Sequence, residues 1–241
     1  MFGRQKLAMV VAEFLGAGIL TMSVYTIIAR TSFPLFSGMA AGLTIAVLTM
    51  AVGVVSGAHF NPAITFGLWT IRKVPTARAI VYIAAQMLGG VAAWGLLKYF
   101  LGHSLTSIAG EFQWKIFVAE ALGTAVFAFG FASAVLQKFE NAKTAATVGI
   151  ALTVGILVAS LASNAILNPA VALGMQSWSW TYATAPLVGA LIGMNLYNLL
   201  FVPDGLNQLA RLTPASSSTS STTSRPTTKR KSTAKRVNKK K

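Results

Sequence analysis

Two copies of the tripeptide Asn-Pro-Ala, Asn61-Pro62-Ala63 and Asn168-Pro169-Ala170, hold the residues of this chain that are best suited to chemistry. Asparagine is a strong helix N-cap and proline suits the first helical position, so each tripeptide predicts the start of a helix. A helix start exposes unpaired N–H groups and about half a positive charge. The Asn side chain adds two amide donors. Two such starts facing one point would bind a neutral dipole and repel a cation.

The rest of the chain must place these helix starts in lipid, because its composition cannot cover a water-facing surface. Of the 241 residues, 54% are hydrophobic and only 10% are charged, whereas a soluble domain carries about 25% charged residues. A helix needs about 20 apolar residues to cross about 30 Å of hydrocarbon. Six segments meet this requirement and predict an all-α membrane protein: Leu7–Ala29, Leu35–Val55, Ala79–Leu97, Ile116–Leu136, Thr144–Asn164 and Thr181–Val202.

Two further apolar pieces are too short to cross a membrane. No acidic or basic residue occurs from Thr31 to Ile71 or from Thr144 to Pro203. Each of these stretches has room for an extra piece of about eleven residues, which is about 16 Å long as a helix. The pieces are 61–71 and 168–178, and each begins with one tripeptide. Because each covers half a bilayer, they predict two re-entrant half-helices.

The two halves of the chain are copies of each other. The tripeptides start at residues 61 and 168, and the same offset of 107 residues relates Ala12-Glu13 to Ala119-Glu120. The copies cover about residues 7–100 and 114–202. Since three spans is an odd number, the second copy must enter the membrane from the opposite face. An inverted 3+3 repeat of this kind predicts a binding or conduction site near the midplane.

The basic residues between the spans predict the orientation. Most of them share one side with the tail (Arg4, Lys6, Arg72, Lys73, Arg78, Lys138, Lys143 and Arg211), and only Arg30, Lys98 and Lys115 fall on the other. The positive-inside rule therefore puts both termini in the cytoplasm of a multi-pass protein of the cell membrane. The first apolar run continues to about Ala29 and contains Glu13, so residues 1–6 are predicted to precede an uncleaved span rather than to begin a signal peptide.

One segment resembles a known family. Ser56-Gly57-Ala58-His59-Phe60-Asn61-Pro62-Ala63 is similar to the first signature of the aquaporin, or major intrinsic protein, family, and the second tripeptide lies where that family places it. The resemblance covers about residues 5–203. It implies a channel domain over residues 7–203, built as six helices and two half-helices and usually assembled as a homotetramer. It also implies passive conduction of water or small uncharged solutes, exclusion of protons and ions, and no cofactor.

The chain departs from the family directly after the second tripeptide, where most members carry an arginine and this chain carries Val171. In the family that arginine belongs to the narrowest ring of the pore, and the family's spacing places the ring here at Ala41, Ile156, Ala165 and Val171. This ring is apolar and has no side-chain donor. A wide ring would admit larger solutes, whereas a narrow one would act as a dewetting gate. The Asp that usually marks glycerol channels is absent, so the choice among water, glycerol, urea and ammonia stays open.

Three polar residues each have two interpretations. Glu13 and Glu120 lie inside predicted spans, where an acid often marks a proton or ion relay. Their matched positions, and the role of the equivalent acids in the family, favour a structural function in holding the loops that lead into the half-helices. His59 could touch the pore, although a packed, hydrogen-bonded histidine is favoured. The chain has no cysteine and only two isolated histidines, so no metal site is predicted.

The C-terminal residues predict a disordered basic tail. Nine of the 20 Lys and Arg residues lie in the last seventeen positions, and without them the net charge falls from +15 to +6. Residues 213–241 are rich in Ser, Thr, Lys and Arg and cannot build a core. On the cytoplasmic side such a tail would attract anionic lipid headgroups. Nucleic-acid binding is less favoured, because no aromatic residue lies among the charges.

Two other functions are compatible with the same pattern. A coupled secondary transporter can use an inverted repeat, but it would need a titratable group at the midplane, and only Glu13 and Glu120 are candidates. A non-conducting structural protein is the second alternative, because an apolar ring could be closed. An enzyme is not predicted, since the sequence contains no nucleophile–base pair, metal cluster or phosphate-binding loop.

Overall fold

The computed structural model describes residues 3–106 and 110–203, and within these ranges the chain forms eight helices. Their bounds are α1 Arg4–Ile28, α2 Pro34–Ser56, α3 Pro62–Thr70, α4 Thr76–Leu101, α5 Trp114–Leu136, α6 Asn141–Ala159, α7 Pro169–Gly174 and α8 Trp180–Leu200. Six of the helices are long and apolar enough to cross a membrane, and α3 and α7 are short. The predicted all-α architecture of six transmembrane helices and two half-helices is confirmed.

The half-helices start at the two prolines, but the second one is shorter than the predicted piece. The helix α7 ends at Gly174 rather than near Trp178. It ends there because Gln176 adopts a left-handed conformation with φ 58°, and the Ser177 N–H donates to the Ala172 carbonyl at 2.8 Å. This closure is a Schellman motif formed without glycine.

The fifth span is also shorter than predicted. The helix α6 ends at Ala159, whereas the apolar run predicts a helix to Asn164. Charge does not mark this end, because the loop that follows contains no acidic or basic residue and still carries Leu161, Ile166 and Leu167. The residues from Ser160 to Asn168 leave the helix and lead to the start of α7.

The half-helices lock the two repeats together. The first repeat holds α1 to α4 and the second holds α5 to α8. The half-helix α3 packs against α8 of the second repeat, and α7 packs against α4 of the first. Among the long helices, α1 packs on α2 and α4, α5 packs on α6 and α8, and α2 packs on α6. Because α3 also contacts α7, the two helix starts lie next to each other inside the bundle.

The outside of the bundle is apolar. On α2, Leu43, Val47 and Val54 are 63%, 63% and 79% exposed, and on α4 Ile80 and Leu88 are 63% and 61% exposed. A contiguous apolar surface of this kind needs lipid or another protein to cover it. Together with the six apolar helices, it indicates a multi-pass membrane protein.

Glycines set the distance between α5 and α8. A Cβ atom on Gly189 would lie 2.2 Å from the Ala121 carbonyl oxygen, and one on Gly193 would lie 2.2 Å from that of Ala125. Small residues at four-residue spacing allow helix backbones to approach closely in membranes, and this pair uses them in that way. Gly53 and Gly57 have the same four-residue spacing, but Gly57 ends α2 in a left-handed conformation with φ 93°.

We expect Gly189→Ala to destabilise the fold by about 1–3 kcal/mol, because the added methyl group forces α5 and α8 apart. The measurement is the melting temperature of the purified protein in detergent. Gly95→Ala is the matched control, since a Cβ at Gly95 of α4 meets no atom within 4 Å. Alanine favours helix more than glycine does by about 1 kcal/mol, so the control should melt at the same or a higher temperature. Equal losses in both variants would contradict the packing explanation.

Candidate functional site

Each half-helix follows a loop whose backbone is irregular in the same way. In the first loop Ala58 and Phe60 have φ angles of 52° and 48°, and in the second loop Ala165 and Leu167 have φ angles of 52° and 54°. The two pairs are related by the same offset as the tripeptides. A left-handed conformation is rare for residues other than glycine and costs energy. Other groups must therefore hold these loops in place.

The first loop is held by Glu13 of α1, which is fully buried. Its two carboxylate oxygens accept hydrogen bonds from the backbone N–H of His59 at 3.1 Å and of Phe60 at 2.7 Å. The Gln86 side chain on α4 donates to the same carboxylate at 2.7 Å and to the Thr65 hydroxyl at 2.9 Å. One acid thus joins α1, the loop, α3 and α4.

The second loop is held in the same way by Glu120 of α5, which is also fully buried. Its carboxylate accepts from the N–H of Ile166 at 3.0 Å and of Leu167 at 2.8 Å. A serine replaces the glutamine of the first site: the Ser163 hydroxyl donates to Glu120 at 2.7 Å and accepts from the Ala165 N–H at 2.9 Å. Hydrogen bonds to a charged group are roughly twice as strong as neutral ones, and they offset the cost of the left-handed backbone.

The two asparagines cap the half-helices, as their residue type predicts. The Asn61 side-chain oxygen accepts from the Ala63 N–H at 2.8 Å. The Asn168 oxygen accepts from the Ala170 N–H at 3.0 Å and from the Val171 N–H at 3.4 Å. These bonds fix both side chains at the junction where α3 and α7 meet.

The same asparagines also bind each other's loops. The Asn61 side-chain nitrogen donates to the Leu167 carbonyl at 2.9 Å, and the Asn168 nitrogen donates to the Phe60 carbonyl at 3.0 Å. Each amide nitrogen carries two N–H groups. Since each of these bonds uses one, each Asn has a second N–H that makes no hydrogen bond within the described ranges.

The loops also supply hydrogen-bond acceptors. Within residues 3–106 and 110–203, the backbone carbonyl oxygens of Gly57, Ala58 and His59 accept no hydrogen bond, and neither do those of residues 164–166. Irregular backbone at membrane depth is tolerated only where it is buried in protein or lines a water-filled cavity. Each loop thus carries unused carbonyl acceptors in the residues that precede its Asn cap.

The four residues of the predicted apolar ring belong to one cluster of buried side chains. Ala41 comes from α2, Ile156 from α6, Ala165 from the second loop and Val171 from α7. Among the helices that the structure describes, α7 packs on α1, α3, α4 and α8 but not on α2 or α6. Ala41 and Ile156 therefore belong to helices that do not contact α7, although all four residues are buried in the same cluster.

A cavity of about 230 Å³ adjoins this ring on the side away from the termini. Its lining includes Ser37, which lies one turn before Ala41, and Ser160, which lies one turn after Ile156. It also reaches Ala165. Polar hydroxyl groups thus line this cavity next to the apolar residues.

A second cavity, of about 260 Å³, lies on the side of the termini and reaches His59. The imidazole is only 5% exposed, its Nδ1 lies 3.1 Å from the Thr65 hydroxyl, and its ring packs edge-on against Tyr82. The packed and the pore-facing interpretations of His59 therefore both have geometric support. Lys73 and Arg78 line the same cavity.

Sequence reasoning missed several residues of this site. Ser163 has a partner at the same offset, because Ser56 accepts from the Ala58 N–H at 3.0 Å, so the repeat held a signal for this pair. No sequence signal marks the left-handed Phe60 and Leu167. Within the described ranges no group of three or more His, Cys, Asp or Glu residues could hold a metal ion. The predicted tail, residues 213–241, lies outside these ranges.

Comparison with known proteins gives consistent matches over most of the chain. A family model described as "Major intrinsic protein" matches residues 4–201. The glycerol uptake facilitator protein-like 6 of Lactiplantibacillus plantarum is 35% identical in an alignment of length 199 that covers 75% of this chain and 92% of that protein. Aquaporin Z of Photorhabdus laumondii is 30% identical in an alignment of length 187 that covers 68% of this chain and 81% of that protein.

A solved structure has the same fold. The X-ray structure of the aquaglyceroporin from Plasmodium falciparum superposes with a TM-score of 0.68 and covers 86% of this chain and 99% of its own. The sequence identity is 22%, so this likeness concerns the fold alone.

We expect Glu120→Gln to destabilise the protein by about 2 kcal/mol or more, because an NH₂ group then faces a loop N–H and a charge-assisted hydrogen bond is lost. Glu13→Gln should have a similar effect. The measurement is the melting temperature, and Glu140→Gln is the control, since Glu140 is an exposed cap of α6. A relay function predicts the opposite pattern, in which both variants keep wild-type stability and the vesicles lose proton movement.

Proposed function

The chain belongs to the major intrinsic protein family, and we propose that it selects its permeant at an apolar ring of Ala41, Ile156, Ala165 and Val171, beside the junction of the two Asn caps. The protein is a passive membrane channel for water and small uncharged solutes, and its family consists of channels rather than enzymes. A coupled transporter and a non-conducting structural protein are not favoured.

The observation that carries the proposal is the pair of crossed Asn bonds. Because Asn61 and Asn168 each bind the opposite loop, their remaining N–H groups are held at one place as two fixed donors. A water or alcohol oxygen can accept from both, while its own hydrogens point to loop carbonyls on either side. The helix starts add positive potential at the same point, which disfavours a proton or a metal cation there. A neutral molecule passes without that electrostatic cost.

The composition of the ring supports a preference for solutes larger than water. Where most members of the family have an arginine, Val171 supplies no hydrogen-bond donor, and the other ring residues include two alanines. Each hydrogen bond that a permeant gives up without replacement costs about 1–3 kcal/mol. Small apolar side chains reduce this cost by leaving room for a solute to keep some of its water. The relative named as a glycerol uptake facilitator is consistent with permeants of that size.

We propose further that the channel is a homotetramer in the cell membrane with both termini in the cytoplasm. The exposed apolar faces of α2 and α6, with Val54 79% and Ile150 65% exposed, supply surface for contacts between copies. The side of the termini carries most of the basic loop residues, which supports the orientation. In this orientation the basic tail would lie at the inner leaflet, where anionic headgroups attract it.

The test of the proposed function is stopped-flow light scattering on vesicles reconstituted with the full chain. We expect faster equilibration than in empty vesicles for water and for at least one of glycerol, urea and ammonia, with no saturation and no proton movement. Saturating flux, or proton movement coupled to the solute, would indicate a transporter. Rates equal to those of empty vesicles for all four permeants would indicate a non-conducting protein.

In the same assay, Val171→Arg should lower glycerol and urea flux at least ten-fold and water flux by a smaller factor. The arginine narrows the ring and supplies donors that a single water molecule can use. Val171→Leu is the control for added size without charge or donors, and it should slow the solutes less than Val171→Arg does. An equal loss of water and solute flux in Val171→Arg would argue that residue 171 does not line the constriction.

Asn168→Asp should allow protons or small cations to leak through the channel while water flux persists. Aspartate is as good an N-cap as asparagine, so α7 keeps its cap, but the carboxylate removes a donor and places a negative charge at the junction. The measurement is proton entry into vesicles under a potassium diffusion potential, followed with a pH-sensitive dye. Asn141→Asp at the start of α6 is the charge-matched control and should not leak. The explanation would be wrong if neither variant, or both to the same extent, became permeable.

A further inference from the structure

A groove opens towards lipid between the first turns of α1 and α4, on the side of the termini. It encloses about 350 Å³. Lys6 and Val10 of α1 line one wall, and Ala77, Arg78 and Val81 of α4 line the other. It is separate from the proposed ring and from the Asn junction, and the function of the channel does not account for it.

Its charged groups are both cations. The lining contains Lys6 and Arg78 and no carboxylate. Neither α1 nor α4 has an acidic residue in its first turn. Among the described acids, Glu13 and Glu120 are fully buried against the loops, Glu140 caps α6, and Glu111 lies before the start of α5 on the side away from the termini. Two exposed cations on neighbouring helices therefore face a groove without an acid to neutralise them.

The rest of the groove is apolar and continues into the lipid-facing wall. Val10 and Val81 lie deeper in the membrane than the two cations, because each is about one turn further along its helix. Beyond them, Val11 on α1 and Leu88 on α4 are 42% and 61% exposed on the outside of the bundle. An occupant that suits this surface has an anionic end near Lys6 and Arg78 and a long apolar part along the two helices.

We propose that the groove binds an anionic phospholipid of the leaflet on the side of the termini. Its phosphate lies between Lys6 and Arg78, and an acyl chain follows Val10 and Val81. Basic pockets between transmembrane helices on this side of a membrane are suited to anionic headgroups. A free phosphate ion would use the two cations but leave the apolar walls uncovered, so the shape and chemistry of the groove favour the lipid.

The position of Arg78 links this groove to the channel. Arg78 and Met9 line the groove and also the inner cavity that reaches His59. A headgroup bound to Arg78 therefore neutralises one of the cations at the inner mouth, beside Lys73. Lipid composition thus sets the charge at the entrance on that side.

The experiment is native mass spectrometry of the full chain released from mixed micelles that contain equal amounts of phosphatidylglycerol and phosphatidylcholine. We expect the wild-type protein to retain phosphatidylglycerol preferentially. Lys6→Gln/Arg78→Gln should lower its retention by about 5-fold for each cation removed. Lys138→Gln/Lys143→Gln removes the same charge from the same side but outside the groove, and it should retain the lipid. The basic tail is present in every variant, so its contribution cancels.

A second variant tests the groove without changing charge. Ala77→Trp fills the space at an exposed position of α4 and should lower phosphatidylglycerol retention as well. The proposal is overturned if both double variants lose the lipid equally, since the attraction would then come from the whole basic surface. It is also overturned if Ala77→Trp binds like the wild type, or if millimolar inorganic phosphate displaces the lipid, because the groove would then hold an ion rather than a lipid.

Discussion

Polar backbone cannot be left unpaired inside a membrane, and the structure depends on how this chain meets that constraint at two loops. Each loop reaches the centre of the bundle without helical hydrogen bonds. In each loop, two consecutive backbone N–H groups donate to one buried carboxylate. Within the described ranges the backbone carbonyls of residues 57–59 and 164–166 accept no hydrogen bond. The acids Glu13 and Glu120 thus satisfy the donors of the loops and leave the acceptors for a passing molecule. This explains why an acid at membrane depth, which usually suggests a relay, serves as a structural anchor here.

The crossed Asn bonds make the two halves of the chain depend on each other. Glu13 holds the loop of its own repeat, and Glu120 does the same in the second repeat, so each repeat can shape its own loop. In contrast, the side chain of Asn61 is completed by a carbonyl of the second repeat, and that of Asn168 by a carbonyl of the first. The site therefore exists only when both repeats are packed, and α3 and α7 reinforce this by packing on helices of the opposite repeat. A duplicated chain gains a symmetric pair of donors in this way, which a single copy could not provide.

Much of this arrangement can be predicted from the sequence, because its main elements follow from residue type and spacing. Asn-Pro marks a helix start in apolar sequence, the constant offset shows that the two halves are copies, and the odd number of spans in each copy shows that the second is inverted. The ends of α6 and α7 were not predicted, since no charged residue, glycine or proline lies within the five residues after Ala159 or Gly174 to mark a stop. The left-handed Phe60 and Leu167 were also hidden, because glycine is the usual sign of that conformation. The hydrogen bonds of Glu13 and Glu120 offset the energetic cost of this conformation. Because both acids are distant from the loops in sequence, no local pattern reveals the conformation.

The absence of an arginine at residue 171 changes how the channel can reject ions. A cationic side chain in a ring repels cations directly and also offers donors to the permeant, so it couples charge selection to size selection. In the proposed ring the two tasks are separate. Apolar side chains reject any ion by leaving its lost hydration unreplaced, and this cost does not depend on the sign of the charge. Selection by sign then falls to the helix starts at Asn61 and Asn168. The electrostatic effect of a helix start comes mainly from its first turn, and both α3, with nine residues, and α7, with six, complete that turn. In the proposed channel the two half-helices therefore share the positive barrier.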